Sequence, residues 1–227
     1  EEFQALLGAR IPPEVERRFD ALDRDDFPIA RDLPDSLNWR TAGGVTPVKN
    51  QASCGSCWDF AAHSALEAMI LIYGGQELDL SEQQILSCET QGYGCSGGWY
   101  SWAWGYTREI GSVSEACMPY EADDTVPCAD AGCAKIATCK TWIDIPNDVD
   151  AIKTALLDGP VATSFTVYSD FGSYGSGCYE HAGRDPINHA VAIVGWDDNK
   201  CGPGDGAWLC KNSWGEDWGD LGGYFWI

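Results

Sequence analysis

A cysteine, a histidine and an asparagine carry the strongest chemical signal in this sequence of 227 residues. Cys57 lies at the first turn of a predicted helix, where unpaired N–H groups and the helix dipole favour an anion, so we expect its pKa to be lowered. His189 opens a predicted buried strand, and Asn212 is placed to accept a hydrogen bond from it, with Trp214 shielding the pair from water. A thiol nucleophile, a base and an orienting group are the parts that covalent catalysis requires.

The elements that must position these residues follow from the hydrophobic pattern. Apolar residues keep helical spacing over 56–73, and a glycine pair ends that helix. Ser81, followed three residues later by Gln84, predicts the N-terminus of a second helix. The predicted helices cover 13–22, 56–73, 81–87, 99–109 and 152–157, and the predicted strands cover 161–168, 190–195 and 207–211. Helices dominate the first half and strands the second, which indicates an α+β fold of two unlike halves with a cleft between them.

The charge balance excludes several classes of partner. Fourteen Lys and Arg residues stand against 35 Asp and Glu residues, which gives a net charge of −21. Such a field repels phosphate backbones and anionic lipids, so we expect neither nucleic-acid nor membrane-surface binding. No apolar run approaches the roughly 18 residues of a membrane helix. The first residues, Glu1 and Glu2, do not resemble a signal peptide. The acidic surface is typical of aggregation resistance, and a salty or acidic environment is left open as an alternative.

Eleven cysteines indicate an oxidising compartment. Because the number is odd, ten can pair and one is left as a candidate reactive thiol. Zinc is the alternative, since Cys54 and Cys57 have ligand spacing and Cys128 and Cys133 form a second close pair. Only three histidines are present and the other cysteines are dispersed, so we expect disulfides and no metal. No cofactor is expected either.

Several segments resemble the papain-like cysteine peptidases. The run 51–58 fits the signature C-G-[SA]-C-[WY], and the order and spacing of Cys57, His189 and Asn212 agree with it. Further similarity lies in 33–40, 80–84, 95–98, 159–161 and 195–196, so the resemblance covers about 33–227. It implies a papain-like fold with a mainly helical half at about 46–140 and a mainly β, barrel-like half at about 141–227, with the active-site cleft between them.

The resemblance also implies a role for each matching residue. Cys57 would be the nucleophile of a cysteine endopeptidase that works through a thioester acyl-enzyme. His189 would be the general base and then the general acid, and Asn212 would orient it. Gln51 and the backbone N–H of Cys57 would form the oxyanion hole.

The same resemblance implies where a protein or peptide substrate binds. Gly97 and Gly98 would hydrogen-bond its extended backbone, and Trp218 would floor the leaving-group side. The pocket for the residue before the cleaved one would be lined, together with the neighbouring cleft surface, by Trp99, Tyr100, Ser164, Ile187, Asn188, Ala190 and Trp214. The aromatic lining favours a bulky apolar or aromatic residue there. The chain ends at Ile227, earlier than the resemblance leads us to expect, so a residue closing the pocket base is expected to be missing.

The disulfide pattern is only partly implied. The resemblance implies the bonds Cys54–Cys95 and Cys88–Cys128. Cys178 and Cys210 lie where neighbouring strands normally carry aliphatic residues, and we expect them to pair with each other. Cys117, Cys133, Cys139 and Cys201 are left for two bonds, with three possible connectivities.

Residues 1–32 precede the expected start of the peptidase domain and resemble the end of a family prosegment. A segment of that kind lies through the cleft in reverse direction and covers it. The prediction is a monomeric thiol protease made as a zymogen, secreted or held in a lysosome-like compartment. The alternatives are a catalytically silent homologue that acts as a binding protein and an amide-transfer enzyme. Asp59 departs from the family pattern, and we expect its carboxylate to face away from Cys57.

Overall fold

The computed structural model describes residues 3–227. Five α-helices lie between residues 13 and 156: α1 Pro13–Asp20, α2 Cys57–Gly74, α3 Glu82–Cys88, α4 Tyr100–Glu109 and α5 Val149–Leu156. All five lie where the sequence pattern predicts helices, with ends shifted by at most a few residues. None of the described helices is both long and apolar enough to cross a lipid bilayer.

Helix α2 runs through the middle of the helical half. It ends at Gly75, which adopts the left-handed conformation with φ 68° that a residue without a Cβ reaches at little cost. Small side chains at Ala61, Ala62, Ala65 and Ala68 are all buried, so neighbouring elements approach α2 closely. The nearby α3 begins as predicted, because the Ser81 side chain accepts a hydrogen bond of 3.1 Å from the Gln84 N–H.

The strands β1 Ser36–Asn38, β2 Val161–Phe165, β3 His189–Gly202, β4 Asp205–Lys211 and β5 Tyr224–Trp226 form a five-stranded antiparallel sheet. The long β3 is its centre: β1 and β2 pair with successive stretches of β3, and β4 pairs with β3 and then with β5. Helices and an antiparallel sheet in separate parts of the chain confirm the α+β class.

The sheet buries a different core on each face. Side chains alternate between the faces of a strand, so Val191 and Ile193 join one hydrophobic cluster and Ala192 and Val194 join another. The first cluster is rich in aromatic rings and lies behind the cleft. The second packs against the partly buried Trp39, Val45, Val48, Cys178 and Leu221.

The disulfides agree with the expectation in two bonds and correct it in a third. Cys54–Cys95 and Cys88–Cys128 form, and Cys117–Cys133 is added to them. The expected Cys178–Cys210 bond is wrong, because Cys178 pairs with Cys201. Cys210 belongs to the aromatic cluster on one face of the sheet, whereas Cys178 packs on the other face, so the sheet itself separates them. Within residues 3–227 three cysteines are outside disulfides instead of one: Cys57, Cys139 and Cys210.

The N-terminal segment contacts both halves, and Ala9 is buried in the same cluster as Cys57. A short 3-10 turn at Phe3–Leu6 precedes α1, and a second turn covers Arg24–Asp26. Arg18 forms an ion pair with Asp144, and Arg24 Nε lies 2.8 Å from Asp148 Oδ2. Its first two residues lie outside the described part of the chain, and its boundary at residue 33 stays a prediction.

Candidate active site

Cys57 is the first residue of α2 and is completely buried. Burial raises the pKa of its thiol to about 11, although backbone N–H groups of Ala190, Gly8, Trp58 and Ala9 point at the sulfur and favour the thiolate. The expectation of a lowered pKa therefore does not hold for this arrangement. The helix N-terminus is present, but Gly8 and Ala9 cover the sulfur and exclude the water that would stabilise its charge.

His189 is the first residue of β3 and is also completely buried. Its Nε2 lies 2.8 Å from Asn212 Oδ1, so the imidazole donates there and its other nitrogen, Nδ1, is left as the acceptor. Nδ1 has no hydrogen-bond partner among the described residues. The Trp214 ring lies over the imidazole at 4.8 Å between centroids. Burial lowers the pKa of His189 to about 4, against the opposing effect of the Asn212 bond.

Gln51 is held so that its amide N–H₂ faces the cleft. The Ser213 hydroxyl donates to Gln51 Oε1 at 2.7 Å, which leaves Nε2 as the end that can donate. Nε2 donates to the carbonyl oxygens of Cys54 at 2.7 Å and of Leu6 at 2.9 Å. The side chain expected in the oxyanion hole therefore has a carbonyl of the N-terminal segment as its partner.

The two glycines expected to bind a substrate backbone also contact the N-terminal segment. The N–H of Gly98 donates to the Gly8 carbonyl at 2.9 Å, and the N–H of Arg10 donates to the Gly98 carbonyl at 3.0 Å. Ala9 N–H donates to the Asn188 carbonyl at 3.0 Å, and the pairing of Ala9 with Gly98 is parallel. A Cβ on Gly97 would lie 2.7 Å from the Gly8 carbonyl oxygen.

The expected pocket residues come together with one exception. Trp99 and Tyr100 are buried with ring centroids 4.3 Å apart, and Ala190 packs in the same cluster. Burial raises the pKa of Tyr100, and the nearby Ser164 side chain opposes this effect. Ile187 is 37% exposed and joins none of the described core clusters, so it is the most open of the expected walls.

On the opposite side of His189, aromatic rings form the cleft floor. Trp214 and Trp218 pack edge to face at 5.1 Å. Phe3 contacts the Trp214 ring at 5.6 Å and lies against Gly172, where a Cβ would meet the Phe3 ring at 2.8 Å. The site thus brings Trp214 and Trp218 beside the catalytic candidates as expected, with Phe3 seated on them.

An ionic pair inside α2 was missed at the level of sequence. Asp59 and His63 are both completely buried, and His63 Nδ1 lies 2.8 Å from Asp59 Oδ1. The spacing of four residues was the available signal, because side chains at i and i+4 meet on a helix. Asp59 is therefore a paired interior group, and His63 is its partner and not a simple packing residue.

Comparisons with known proteins agree with this geometry. The family described as "Papain family cysteine protease" matches residues 33–227. Cathepsin K of Mus musculus is 39% identical over 228 residues, which cover 98% of this chain and 68% of that protein. Zingipain-2 of Zingiber officinale is 35% identical over 194 residues, which cover 84% of this chain and 86% of that protein.

Solved structures show the same similarity. A recombinant stem bromelain precursor superposes with a TM-score of 0.83 at 33% identity, covering 97% of this chain and 70% of that one. The bromelain protease from Ananas comosus in complex with the E64 inhibitor has a TM-score of 0.78 at 35% identity, covering 86% of this chain and 89% of that one.

Proposed function

Because this chain belongs to the papain family of cysteine proteases, we propose that Cys57, His189, Asn212 and Gln51 perform its endopeptidase reaction and that residues 1–32 are a prosegment that closes the cleft. One observation carries the second part: Gln51 Nε2 donates to the Leu6 carbonyl while the backbone of the next residues covers the thiol.

The geometry supports a two-step acyl transfer. His189 Nδ1 takes the thiol proton, and the Cys57 sulfur attacks the substrate carbonyl carbon. The resulting oxyanion is stabilised by Gln51 Nε2 and the Cys57 N–H. His189 then gives its proton to the leaving amine, and the C–N bond breaks to leave a thioester. Water, deprotonated by His189, hydrolyses the thioester and returns the free thiol. Asn212 keeps the imidazole in the required tautomer throughout.

The proposed prosegment role follows from what the segment does to the two titrating groups. In the covered cleft burial raises the pKa of Cys57 to about 11 and lowers the pKa of His189 to about 4, so both are neutral near pH 7. A neutral thiol beside a neutral imidazole is a weak nucleophile. Removing the segment admits water, and the helix N-terminus and the imidazole then favour the ion pair.

The fit of the segment is tightest at Gly8. A Cβ added there would lie 1.7 Å from the Gly55 carbonyl oxygen, which belongs to rigid backbone next to a disulfide-bonded cysteine. The Gly8→Ala substitution therefore cannot keep the observed contact. Overpacking of this kind costs about 1–3 kcal/mol, which is on the order of tenfold in the occupancy of the closed state.

The experiment is to label Cys57 in the full chain with a peptidyl epoxide and to locate the label by peptide mass mapping. We expect modification of Cys57 alone, on the order of tenfold faster in Gly8→Ala than in the unmodified chain. Gly105→Ala is the matched control, since nothing lies within 4 Å of a Cβ built at Gly105. Equal rates in all three proteins contradict the prosegment role. No labelling of the folded chain, either before or after limited proteolysis has removed residues 1–32, contradicts the peptidase assignment and supports a silent homologue.

The proposal extends to partners and compartment. Substrates are proteins or peptides, and the enzyme acts as a monomer in a secreted or lysosome-like environment. The four disulfides support an oxidising compartment, because cytosolic thiols are kept reduced. Light scattering tests the monomer, and a dimeric mass contradicts it.

A further inference from the structure

A pair of hydroxyl groups lies directly behind the two proposed oxyanion donors. Tyr120 Oη donates to the Gln51 backbone carbonyl at 2.8 Å, and Ser56 Oγ lies 2.7 Å from Tyr120 Oη. A tyrosine hydroxyl has a single proton, so Ser56 must be the donor to Tyr120. Burial raises the pKa of Tyr120, which keeps that proton in place at neutral pH.

The Ser56 side chain makes an unusual contact for a residue at a helix start. It occupies the N-cap position of α2, but its side chain makes no capping hydrogen bond. A serine there ordinarily accepts from an N–H of the first turn. Here the hydroxyl is held by Tyr120 instead, and the Ser56 carbonyl accepts from the N–H groups of Asp59 at 2.9 Å and Phe60 at 3.2 Å. These bonds fix the peptide group whose N–H belongs to Cys57.

Gln51 is fixed by the same tyrosine. Its carbonyl belongs to the peptide group that leads into Ala52, which has a positive φ of 49° that residues with a Cβ rarely adopt. The Tyr120 bond holds that carbonyl, and the Gln51 N–H donates to the Ser213 carbonyl at 2.8 Å on the other side. The backbone from which the Gln51 amide projects is therefore clamped at both ends.

Tyr120 itself is well anchored and reaches no substrate group. Its ring packs edge to face on Phe60 at 4.9 Å, and its N–H donates to Glu115 Oε1 at 2.7 Å. Its hydroxyl points at backbone behind the cleft, so it acts only through Gln51 and Ser56.

From these contacts we infer that Tyr120 is a positioning residue for the oxyanion hole: its hydroxyl sets the distance between the Gln51 amide and the Cys57 N–H. The inference rests on the proposed function, since it presupposes that these two groups stabilise the oxyanion. Losing one oxyanion donor costs about 10²–10³ in rate, and a displaced donor costs a fraction of that, on the order of tenfold.

The test compares two reactions of Cys57 in the full chain. Acylation by p-nitrophenyl acetate develops an oxyanion, whereas disulfide exchange with 2,2′-dipyridyl disulfide does not. Both reagents must reach the same thiol, so the ratio of their rates cancels any covering by the N-terminal segment. The rates of the Cys57→Ala variant are subtracted, which removes the contributions of Cys139 and Cys210.

We expect Tyr120→Phe to lower the acylation rate on the order of tenfold and to leave disulfide exchange within about twofold. Ser56→Ala should change the ratio in the same direction by a smaller factor. Tyr174→Phe is the matched control, because the Tyr174 hydroxyl likewise donates to a backbone carbonyl, that of Gly177 at 2.7 Å, far along the chain from Gln51. In a Gln51→Ala background the effect of Tyr120→Phe should shrink, since the two substitutions act on one donor.

Three outcomes overturn the inference. If Tyr120→Phe and Ser56→Ala both keep the ratio of acylation to disulfide exchange of the unmodified chain, a positioning role is excluded. An equal fall in both reactions indicates a structural role only. If the unmodified chain acylates no faster than Cys57→Ala while its disulfide exchange at Cys57 proceeds, the proposed function fails first and the inference fails with it.

Discussion

The helical half and the strand half hold the proposed catalytic groups by different interactions. Helix α2, which carries Cys57, buries the ionisable residues Asp59, His63 and Glu67 along its length. Glu67 accepts hydrogen bonds from Lys49 Nζ at 2.9 Å, the Leu80 N–H at 2.8 Å and Thr46 Oγ1 at 2.7 Å. Cys57 therefore lies on an element whose position depends on buried charge.

The strand half, which carries His189 and Asn212, depends on aromatic packing. Phe171 lies at the centre, with ring centroids at 4.9 Å from Phe225, 5.1 Å from Trp218 and 5.5 Å from Trp214. None of these rings titrates. Shape complementarity therefore holds His189, while charge complementarity holds the helix that carries Cys57. The two sides of the cleft should respond differently to pH and to substitution.

The largest effect is expected where a buried charge loses its partner. Glu67→Ala leaves Lys49 and the Thr46 hydroxyl with fewer acceptors, and we expect the free energy of unfolding to fall by about 3–5 kcal/mol. Glu67→Gln keeps the volume and two hydrogen-bonding atoms and should lose less. Urea denaturation measures both losses, and an unchanged stability in Glu67→Gln would assign the effect to volume and not to charge.

The Asp59–His63 pair should make the helical half sensitive to alkaline pH. Asp59 and the other acidic neighbours raise the pKa of His63 to about 9 against burial, from 6.5 for the free side chain. The folded state then keeps a proton that the unfolded state releases between pH 6.5 and 9. The stabilisation is complete below pH 6.5 and is lost as the pH rises through 9, by at most about 3 kcal/mol.

The matched measurement is urea denaturation of the unmodified chain and of the double variant Asp59→Asn, His63→Gln at pH 6 and pH 9.5. The groups that face this pair, Glu82, Lys49 and Tyr120, are unchanged in both proteins. The double variant should lose less stability between the two pH values. Parallel pH dependence in the two proteins contradicts the assignment.

A substitution in the aromatic cluster should cost less and should not depend on pH. Phe225 is completely buried, and Phe225→Leu removes ring contacts while retaining an apolar side chain. We expect a loss of about 1–2 kcal/mol, the same at pH 6 and pH 9.5. A loss that changes with pH would break the distinction between the halves.

The smallest effect is expected at Cys210. Cys210→Ala removes one buried sulfur and should cost about 1 kcal/mol, with all four disulfides retained on non-reducing peptide mapping. If Cys178 became free in that variant, it would be paired with Cys210 in the unmodified chain, as expected from the sequence, and not with Cys201. Cys201→Ala is the control that should free Cys178.

Local patterns were sufficient for much of the fold. Helix α2 begins and ends one residue later than its apolar spacing predicts, and the Ser81 cap has the predicted partner. Cys57 at a helix start and His189 beside Asn212 could be predicted from the sequence, since each depends on short segments with strong signals. The Asp59–His63 pair and the bonds of Tyr120 to Gln51 and Ser56 could not be predicted, because a buried pairing depends on which surfaces cover it.

The residue types and their spacing by themselves determined which groups we propose for the chemistry and on which kind of element each lies, because helix starts, caps and strands are set by neighbours along the chain. Only the tertiary structure decided which distant residues contact each other. The face of the sheet assigned Cys178 to Cys201, and burial of Cys57 raised the pKa that the helix start should lower. Both depend on contacts between distant residues and on the water that those contacts exclude.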